Sequence, residues 1–282
     1  MAKMQDILNA AWQTLLSVGK IVLQSRGCGV IPQAPREREL VILGNGPSLN
    51  DTIVQHSDFL SERDLLAVNF AANAPVFRDL KPRYYVLTDP HFFVAFDQPN
   101  VAKLWDVFAN EVDWPLALFI PTKVKLHGEW FDKLIKNANV EIIFYNMTPV
   151  EGFKWFENMA YGKGWGMPRP RNVLIPSIML GIDMRYGTIY IAGADHSWTK
   201  TLSVDDDNNV VSIQPHFYKE EEKEQQRVRV DYMRYPLHQI LYSFYVAFKS
   251  YYTISRYAQH RGIKILNITP GSFIDAFPRL KL

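Results

Sequence analysis

Short apolar runs recur along the chain from residue 39 onward, and longer segments with helical periodicity separate them. The runs are Leu40–Leu43, Leu65–Asn69, Tyr84–Thr88, Leu116–Ile120, Val140–Tyr145, Thr188–Ala192 and Ile263–Ile268. Between them, segments such as Asn172–Met184 and Pro236–His260 have the length and apolar spacing of helices. Strands that alternate with helices, and that are apolar throughout, are typical of parallel sheets covered on both faces. The pattern predicts an α/β fold with a doubly wound, mostly parallel, Rossmann-like sheet.

An amphipathic helix is predicted over residues 4–25. Its apolar positions recur at helical spacing and include Ile7, Ala11, Leu15, Val18 and Val22. This face can pack on the domain, pack on a second subunit, or lie on a membrane surface with help from Lys3, Lys20 and Arg26. Residues 26–38 contain glycine, proline and charge, which indicates a linker. We therefore expect a helix and linker over residues 1–38 and a nucleotide-sugar-binding domain over residues 39–282.

Two regions interrupt the alternation and predict excursions at the edge of the sheet. Gly152–Arg171 is rich in aromatic residues, glycine and proline, and Trp198–Arg229 contains an acidic turn and a charged run. The second region predicts a lid-like excursion at about residues 197–232, in which Lys219–Arg229 forms a solvated helix face. Asp205–Asp207 lacks the alternating ligands and central glycine of a calcium loop, so a surface turn is expected and no metal site.

Composition narrows the class of protein. The 282 residues are 48% hydrophobic, and 31 basic against 29 acidic side chains give a net charge of +2. That balance argues against a nucleic-acid partner. Cys28 is the sole cysteine, which excludes an intramolecular disulfide and favours a reducing compartment. Without a signal-peptide pattern or a long apolar run, we expect a cytoplasmic protein, with the inner face of the membrane as the alternative place.

The segment Gly44-Asn45-Gly46-Pro47-Ser48-Leu49 follows the first predicted strand. Gly44 and Gly46 allow a phosphate to approach the main chain, and Pro47 suits a first helical turn. Ser48 can cap the helix or donate to a phosphate oxygen. Leu49 occupies the third glycine position of the dinucleotide fingerprint, and a Walker lysine is missing. The turn predicts a nucleotide site, against the alternative of a tight strand-to-helix connection without a ligand.

Polar groups also follow three other predicted strands. Asn69 ends the second strand, Asp89 follows the third, and Asp195 follows the sixth. Ligands of open α/β sheets bind at the carboxyl ends of the strands, so these turns should converge on one crevice. Turn chemistry alone explains any one of them, as for Asp89 before Pro90.

These segments resemble the bacterial family 42 sialyltransferases. They also resemble a group of uncharacterised Rossmann-like proteins related to 6-hydroxymethylpterin diphosphokinase. The resemblance covers roughly residues 39–275, and its specific motif is the Gly44–Leu49 turn. It implies a CMP-sugar donor held by that turn and by Asn69, and metal-independent transfer with a histidine as general base. The chain departs from the family at Asp89, where the transferases have asparagine, and at His196–Trp198, where they have phosphate-binding tyrosines.

An inverting glycosyl transfer needs a base for the acceptor hydroxyl, and histidine suits this role. His216 falls where the sialyltransferases place their base, and Tyr218 is near enough to contact a phosphate. His196 is the competitor, beside Asp195, which can orient a histidine or bind a ribose. Arg171 can pair with a donor phosphate or carboxylate, as can Arg169, although solvated loop arginines are equally common.

The sequence thus favours a sialyltransferase-like glycosyltransferase that moves a sugar from a CMP-linked donor to a cell-envelope saccharide. Such an enzyme is expected to need no cofactor or metal ion. The chain can be a monomer or a homo-oligomer. A second hypothesis is a Mg²⁺-dependent pyrophosphokinase that uses ATP, with Asp89 and Asp195 as the available carboxylates. A third is a nucleotide-binding protein without catalysis.

Overall fold

The computed structural model describes residues 2–212 and 234–282. Nine strands occur there: β1 Glu39–Leu43, β2 Asp64–Val68, β3 Tyr84–Val86, β4 Leu116–Pro121, β5 Val140–Tyr145, β6 Thr188–Ala192, β7 Ser203–Val204, β8 Val210–Val211 and β9 Lys264–Asn267. All strands but β7 and β8 form one seven-stranded parallel sheet, in the order β5-β4-β3-β2-β1-β6-β9. The prediction of a doubly wound, parallel α/β fold is confirmed, and each predicted apolar run overlaps one of these seven strands.

Ten α-helices lie in the described ranges and connect or cover these strands. They are α1 Ala2–Gln24, α2 Leu49–Gln55, α3 Ser57–Ser61, α4 Val76–Leu80, α5 His91–Val94, α6 Pro99–Asn110, α7 Glu129–Leu134, α8 Lys154–Gly162, α9 Leu174–Asp183 and α10 Leu237–His260. Long helices α9 and α10 match the segments that apolar spacing predicted. None of the helices in residues 2–212 and 234–282 is both long and apolar enough to cross a membrane.

The sheet is covered on both faces, which explains why its strands are apolar throughout. Leu40 and Ile42 of β1 belong to the core that contains α9 and α10, whereas Val41 and Leu43 face α2 and α3. Successive side chains of a strand point to opposite faces, so a strand between two helical layers needs apolar residues at every position. A third core surrounds Trp105 of α6 beneath β3 and β4.

The order of the strands reverses at β1. From β1 the chain builds β2, β3, β4 and β5 on one side and then returns to place β6 on the other side. Leu43, the last residue of β1, pairs with Ala192, the last residue of β6. The loops that follow β1 and β6 therefore leave the sheet side by side, at the position where open α/β sheets bind ligands.

Residues 26–38, predicted as a linker, lie against the sheet domain. Arg26 N–H donates to Asn146 Oδ1 at 2.9 Å, Ala34 N–H donates to Met184 O at 2.8 Å, and Arg36 Nη2 donates to Gly262 O at 2.9 Å. The boundary at residue 38 stays a prediction. In the predicted excursion, β7 and β8 form an antiparallel hairpin. Lys219–Arg229 lies outside the described residues.

Candidate functional site

The loops after β1 and β6 pack against each other through their backbones. Gly44 N–H donates to Ala192 O, and Gly46 N–H donates to Gly193 O, both at 2.8 Å. A Cβ atom on Gly44 would lie 2.5 Å from Gly193 O, and one on Gly46 would lie 1.9 Å from Asp195 Oδ2. Neither position has room for a side chain.

This packing gives Gly44 and Gly46 a different physical role from the one predicted. Neither has a positive φ, whereas Gly193 does, with φ +62°. Their N–H groups are used by the β6 loop, so these two amides are not available to a phosphate. Whether the rest of the turn binds a nucleotide stays a prediction.

Ser48 and Asp195 join the two loops through their side chains. Ser48 Oγ donates to Asp195 Oδ2 at 2.8 Å. Ser48 precedes α2 but makes no side-chain cap, and Pro47 lies in the turn before the helix. The hydroxyl therefore does not cap α2 and donates its hydrogen bond to the carboxylate of Asp195 instead. The predicted contact with a phosphate oxygen stays a prediction. The two residues are 147 positions apart.

The neighbouring strand ends continue this edge toward β3. Asn45 Nδ2 lies 3.4 Å from Val68 O at the end of β2. Asn69 has φ +51°, and its carbonyl accepts a 2.6 Å hydrogen bond from Tyr85 Oη. Asp89 is exposed, and its Oδ1 accepts from His91 N at 2.9 Å, which is the turn chemistry expected before a proline. The structure thus brings the four turns to the same edge of the sheet.

His196 is held in a buried polar network. Its Nε2 lies 2.7 Å from Tyr251 Oη, and Tyr251 Oη donates to Asn172 Oδ1 at 3.0 Å. The tyrosine hydroxyl has one hydrogen, and it donates that hydrogen to Asn172 Oδ1. In the bond between His196 and Tyr251, the histidine is therefore the donor, through Nε2–H. Burial lowers the pKa of His196 to about 3. The imidazole is therefore neutral at physiological pH, and its ring packs on Trp198 with centroids 4.1 Å apart.

The remaining predicted residues divide into three groups. Arg169 is used by the fold, because its Nε donates to Glu151 Oε2 at 2.6 Å. Arg171 is exposed and immediately precedes Asn172 of the His196 network. His216 and Tyr218 lie outside the described residues. The prediction that Asp195 orients His196 receives no support, since Asp195 Oδ2 contacts Ser48 and His196 contacts Tyr251.

A cavity that sequence reasoning missed lies at the carboxyl ends of β3, β4 and β5. Its volume is about 560 Å³, and Thr88 and Pro90, which flank Asp89, line it. Phe93 and Trp130 form an aromatic wall with ring centroids 5.3 Å apart. The lining also includes Lys123, Lys125 and His127, and none of the lining residues within 2–212 and 234–282 carries a carboxylate. The available signal was a threonine within three residues of the end of each strand: Thr88 after β3, Thr122 after β4 and Thr148 after β5.

The described ranges, 2–212 and 234–282, contain no group of three or more histidine, cysteine, aspartate or glutamate side chains arranged to hold a metal ion. Asp205 lies in the β7–β8 turn, where its Oδ1 accepts from Asn209 N at 2.7 Å. This is the surface turn that the sequence predicts.

No protein-family model matches the sequence, and no curated protein matches it. Among solved structures, the chain is similar to the MAf glycosyltransferase from Magnetospirillum magneticum AMB-1, with a TM-score of 0.50 and 11% sequence identity. The alignment covers 96% of this chain and 38% of that protein. At this identity the likeness shows a shared fold.

Proposed function

We propose that the chain is a glycosyltransferase that transfers a sugar from a CMP-linked donor to a cell-envelope saccharide without a metal ion. The observation that carries this proposal is the junction of the β1 and β6 loops, where Ser48 and Asp195 meet at the reversal of strand order. A solved glycosyltransferase of similar fold supports it. The cytoplasmic side is the corresponding place of action.

Donor binding falls to the side chains at the junction. Asp195 is suited to ribose hydroxyl groups rather than to phosphate, because a carboxylate repels a phosphate and accepts from a hydroxyl. Asn45 and Asn69 supply amide groups on the β2 side. Arg171 and Tyr218 are the proposed contacts of the leaving phosphate, for which a guanidinium offers a planar pair of donors.

His216 is the proposed general base, and His196 is the proposed positioning residue. A base whose pKa is near 3 has little driving force to accept a proton at neutral pH. His196 also uses Nε2 to bond Tyr251. Its network connects the β6 loop to α9 and α10, which suits it to hold that loop in place.

The cavity between α5 and β5 is the proposed acceptor site. Aromatic side chains such as Phe93 and Trp130 pack on sugar rings, and Lys123 and Lys125 favour a saccharide that carries negative charge. The cavity begins beside Asp89, at the end of the row of donor-site turns.

Nucleotide specificity is tested by thermal unfolding with CMP, CDP, UDP, GDP and ATP, each with and without Mg²⁺. A shift with CMP that does not depend on Mg²⁺ is expected. A shift only with ATP and Mg²⁺ would favour the pyrophosphokinase instead, and no shift with any nucleotide would contradict the site itself. Ser48→Ala should reduce the CMP shift, because it removes a side chain of the junction.

The base is tested with His216→Ala, with His260→Ala at the exposed end of α10 as the matched control. His216→Ala should lower transfer by about 10²–10⁴-fold while the CMP shift persists. Loss of both transfer and the CMP shift would make His216 a structural residue. Persistence of nucleotide binding with no transfer in the unmodified chain would favour a binding protein without catalysis.

A further inference from the structure

Helix α1 packs on its own domain with its polar side. Ser17 is fully buried, with an exposed fraction of 0%. Its Oγ donates to Glu151 O at 2.8 Å and accepts from Glu151 N at 2.9 Å. Thr14 Oγ1 accepts from Phe153 N at 3.0 Å. These bonds satisfy backbone groups of residues 151–153. Together with Ile21, which packs against the main core, they attach α1 to the domain.

The apolar side of α1 points away from the domain. Val22 is 73% exposed, Leu15 is 62% exposed and Trp12 is 57% exposed. Further exposed apolar residues of the helix are Met4, Ile7, Leu8, Leu16, Val18 and Leu23. We call these nine residues the α1 face. An exposed apolar surface this long marks a binding surface. The sequence predicts packing on the domain, on a second subunit or on a membrane; α1 does pack on its domain, but the predicted apolar face is not the side that makes the contact.

A cationic cavity adjoins the C-terminal end of the α1 face. Its volume is about 760 Å³, and Val22 of α1 and exposed Trp165 both line it. Four cationic side chains and one carboxylate line it as well: Arg26, Lys163, Arg185, Arg261 and Asp183. An exposed apolar helix next to a cavity with excess positive charge combines the two chemistries of an anionic phospholipid, acyl chain and phosphate headgroup.

We propose that the α1 face and the adjoining cavity dock the protein on an anionic phospholipid surface. The α1 face enters the boundary between headgroups and acyl chains, and the cavity receives a phosphate headgroup. Trp12, Trp165 and Trp155 at the start of α8 are exposed on α1 and on segments that contact it. Tryptophan is enriched at the level of membrane headgroups.

Charge argues for a membrane over a second copy of the chain. The basic side chains on α1 and beside it include Lys20, Arg26, Lys154 and Lys163. The acidic side chains are Asp6 near the start of the helix and the half-buried Glu151 and Glu157 in the segment that contacts it. A two-fold dimer through α1 would place two surfaces of like charge together, which is unfavourable. An anionic bilayer attracts each basic residue near its surface by about 1 kcal/mol.

Vesicle flotation tests the proposal on the full chain. The protein should float with phosphatidylcholine vesicles that contain phosphatidylglycerol, and less at high salt, because ions screen the attraction. The double variant Leu15→Asp with Val22→Asp should lose at least about tenfold of this binding, since charge is excluded from the apolar layer. Arg26→Glu with Lys163→Glu should lose at least about tenfold of the binding to anionic vesicles, since both side chains then repel the headgroups that they attracted.

Ile135→Asp serves as the matched control, because Ile135 is an exposed apolar residue directly after α7 and is not part of the α1 face. It should leave flotation unchanged, and each variant should keep the melting temperature of the unmodified chain. Failure of the unmodified chain to float would overturn the proposal. Two other results would also overturn it. One is a dimer in light scattering that Leu15→Asp abolishes, in a protein that does not bind vesicles. The other is binding of glycerol phosphate as tight as the binding of vesicles. Nucleotide-induced melting shifts test the proposed function separately.

Discussion

At the level of single residues, Gly46 is the position where the two loops of the candidate site are closest. Gly46→Ala would place a Cβ 1.9 Å from Asp195 Oδ2 and 2.7 Å from Gly193 O. Forcing the loops apart should lower the free energy of unfolding by about 1–3 kcal/mol and weaken nucleotide binding. Gly19→Ala, where no atom lies within 4 Å of the new Cβ, is the control. Urea unfolding measures both, and equal stabilities would contradict the close packing.

Tyr251 holds the His196 network together, and its hydroxyl is the second residue-level test. Tyr251→Phe would leave His196 Nε2–H without its acceptor and remove a donor from Asn172 Oδ1. We expect a loss of about 1–3 kcal/mol in the free energy of unfolding, because His196 Nε2–H loses its partner in a half-buried position. Asn172 Oδ1 keeps the hydrogen bonds from Leu174 N and Ile175 N. Tyr252→Phe removes the bond to Asp275 at the exposed neighbouring position and should cost less than about 0.5 kcal/mol. Similar losses in the two variants would argue against the network.

The sequence predicts which residues lie at the site but not which of them are hydrogen-bonded to each other. The Gly44–Leu49 turn and Asp195 follow strand ends, which is visible in the sequence. The bond between Ser48 and Asp195 depends on β6 lying beside β1, and the sequence does not state that strand order. Tyr251 is one aromatic position among many in the long α10, so nothing local marks it as the partner of His196.

At the level of elements, apolar runs predicted all seven strands of the sheet because burial on both faces requires continuous apolar sequence. Short helices such as α5, with four residues, carry no comparable signal. Their hydrogen bonds depend on neighbouring packing, as with the Asp89 turn that precedes α5. The β7–β8 hairpin has two-residue strands, too short for alternation to be read.

Helix α1 shows that periodicity predicts a helix without predicting which side it buries. The structure reverses the usual rule at two adjacent positions, buried Ser17 and exposed Val18. Ser17→Val should destabilise the attachment of α1 by about 1–3 kcal/mol, although it adds apolar surface, because Glu151 loses both bonds. Val18→Ser should cost less than about 0.5 kcal/mol. Limited proteolysis at residues 25–30 reports detachment, and greater release in Val18→Ser than in Ser17→Val would refute this orientation.

For the molecule as a whole, two half-buried ionisable groups, one before β6 and one after it, have opposite effects on the pH dependence of stability. Burial raises the pKa of Asp183, before β6, to about 7, against the attraction of Arg261. Burial lowers the pKa of His196, after β6, to about 3. In unfolded chains the pKa of aspartate is about 3.9 and that of histidine is about 6.5. As pH falls from 7 toward 4, the folded state binds a proton at Asp183 that the unfolded state does not yet bind, and this raises the free energy of unfolding. Over the same range the unfolded state binds a proton at His196 that the folded state does not bind, and this lowers the free energy of unfolding.

Replacing Asp183 should therefore leave the effect of His196 on the pH dependence of stability unopposed. Asp183→Asn should be more stable than the unmodified chain at pH 8, by about 1–3 kcal/mol, because it has no buried carboxylate to ionise. Its stability should then fall more steeply between pH 7 and pH 4, since the opposing proton uptake at Asp183 is gone. Urea unfolding at pH 8, 6 and 4.5 measures the difference, and exposed Asp6→Asn on α1 is the control. Because all other carboxylates are common to the proteins compared, their contributions cancel in the difference. Parallel stability curves for Asp183→Asn and the unmodified chain would show that Asp183 ionises in the fold as it does in the unfolded chain.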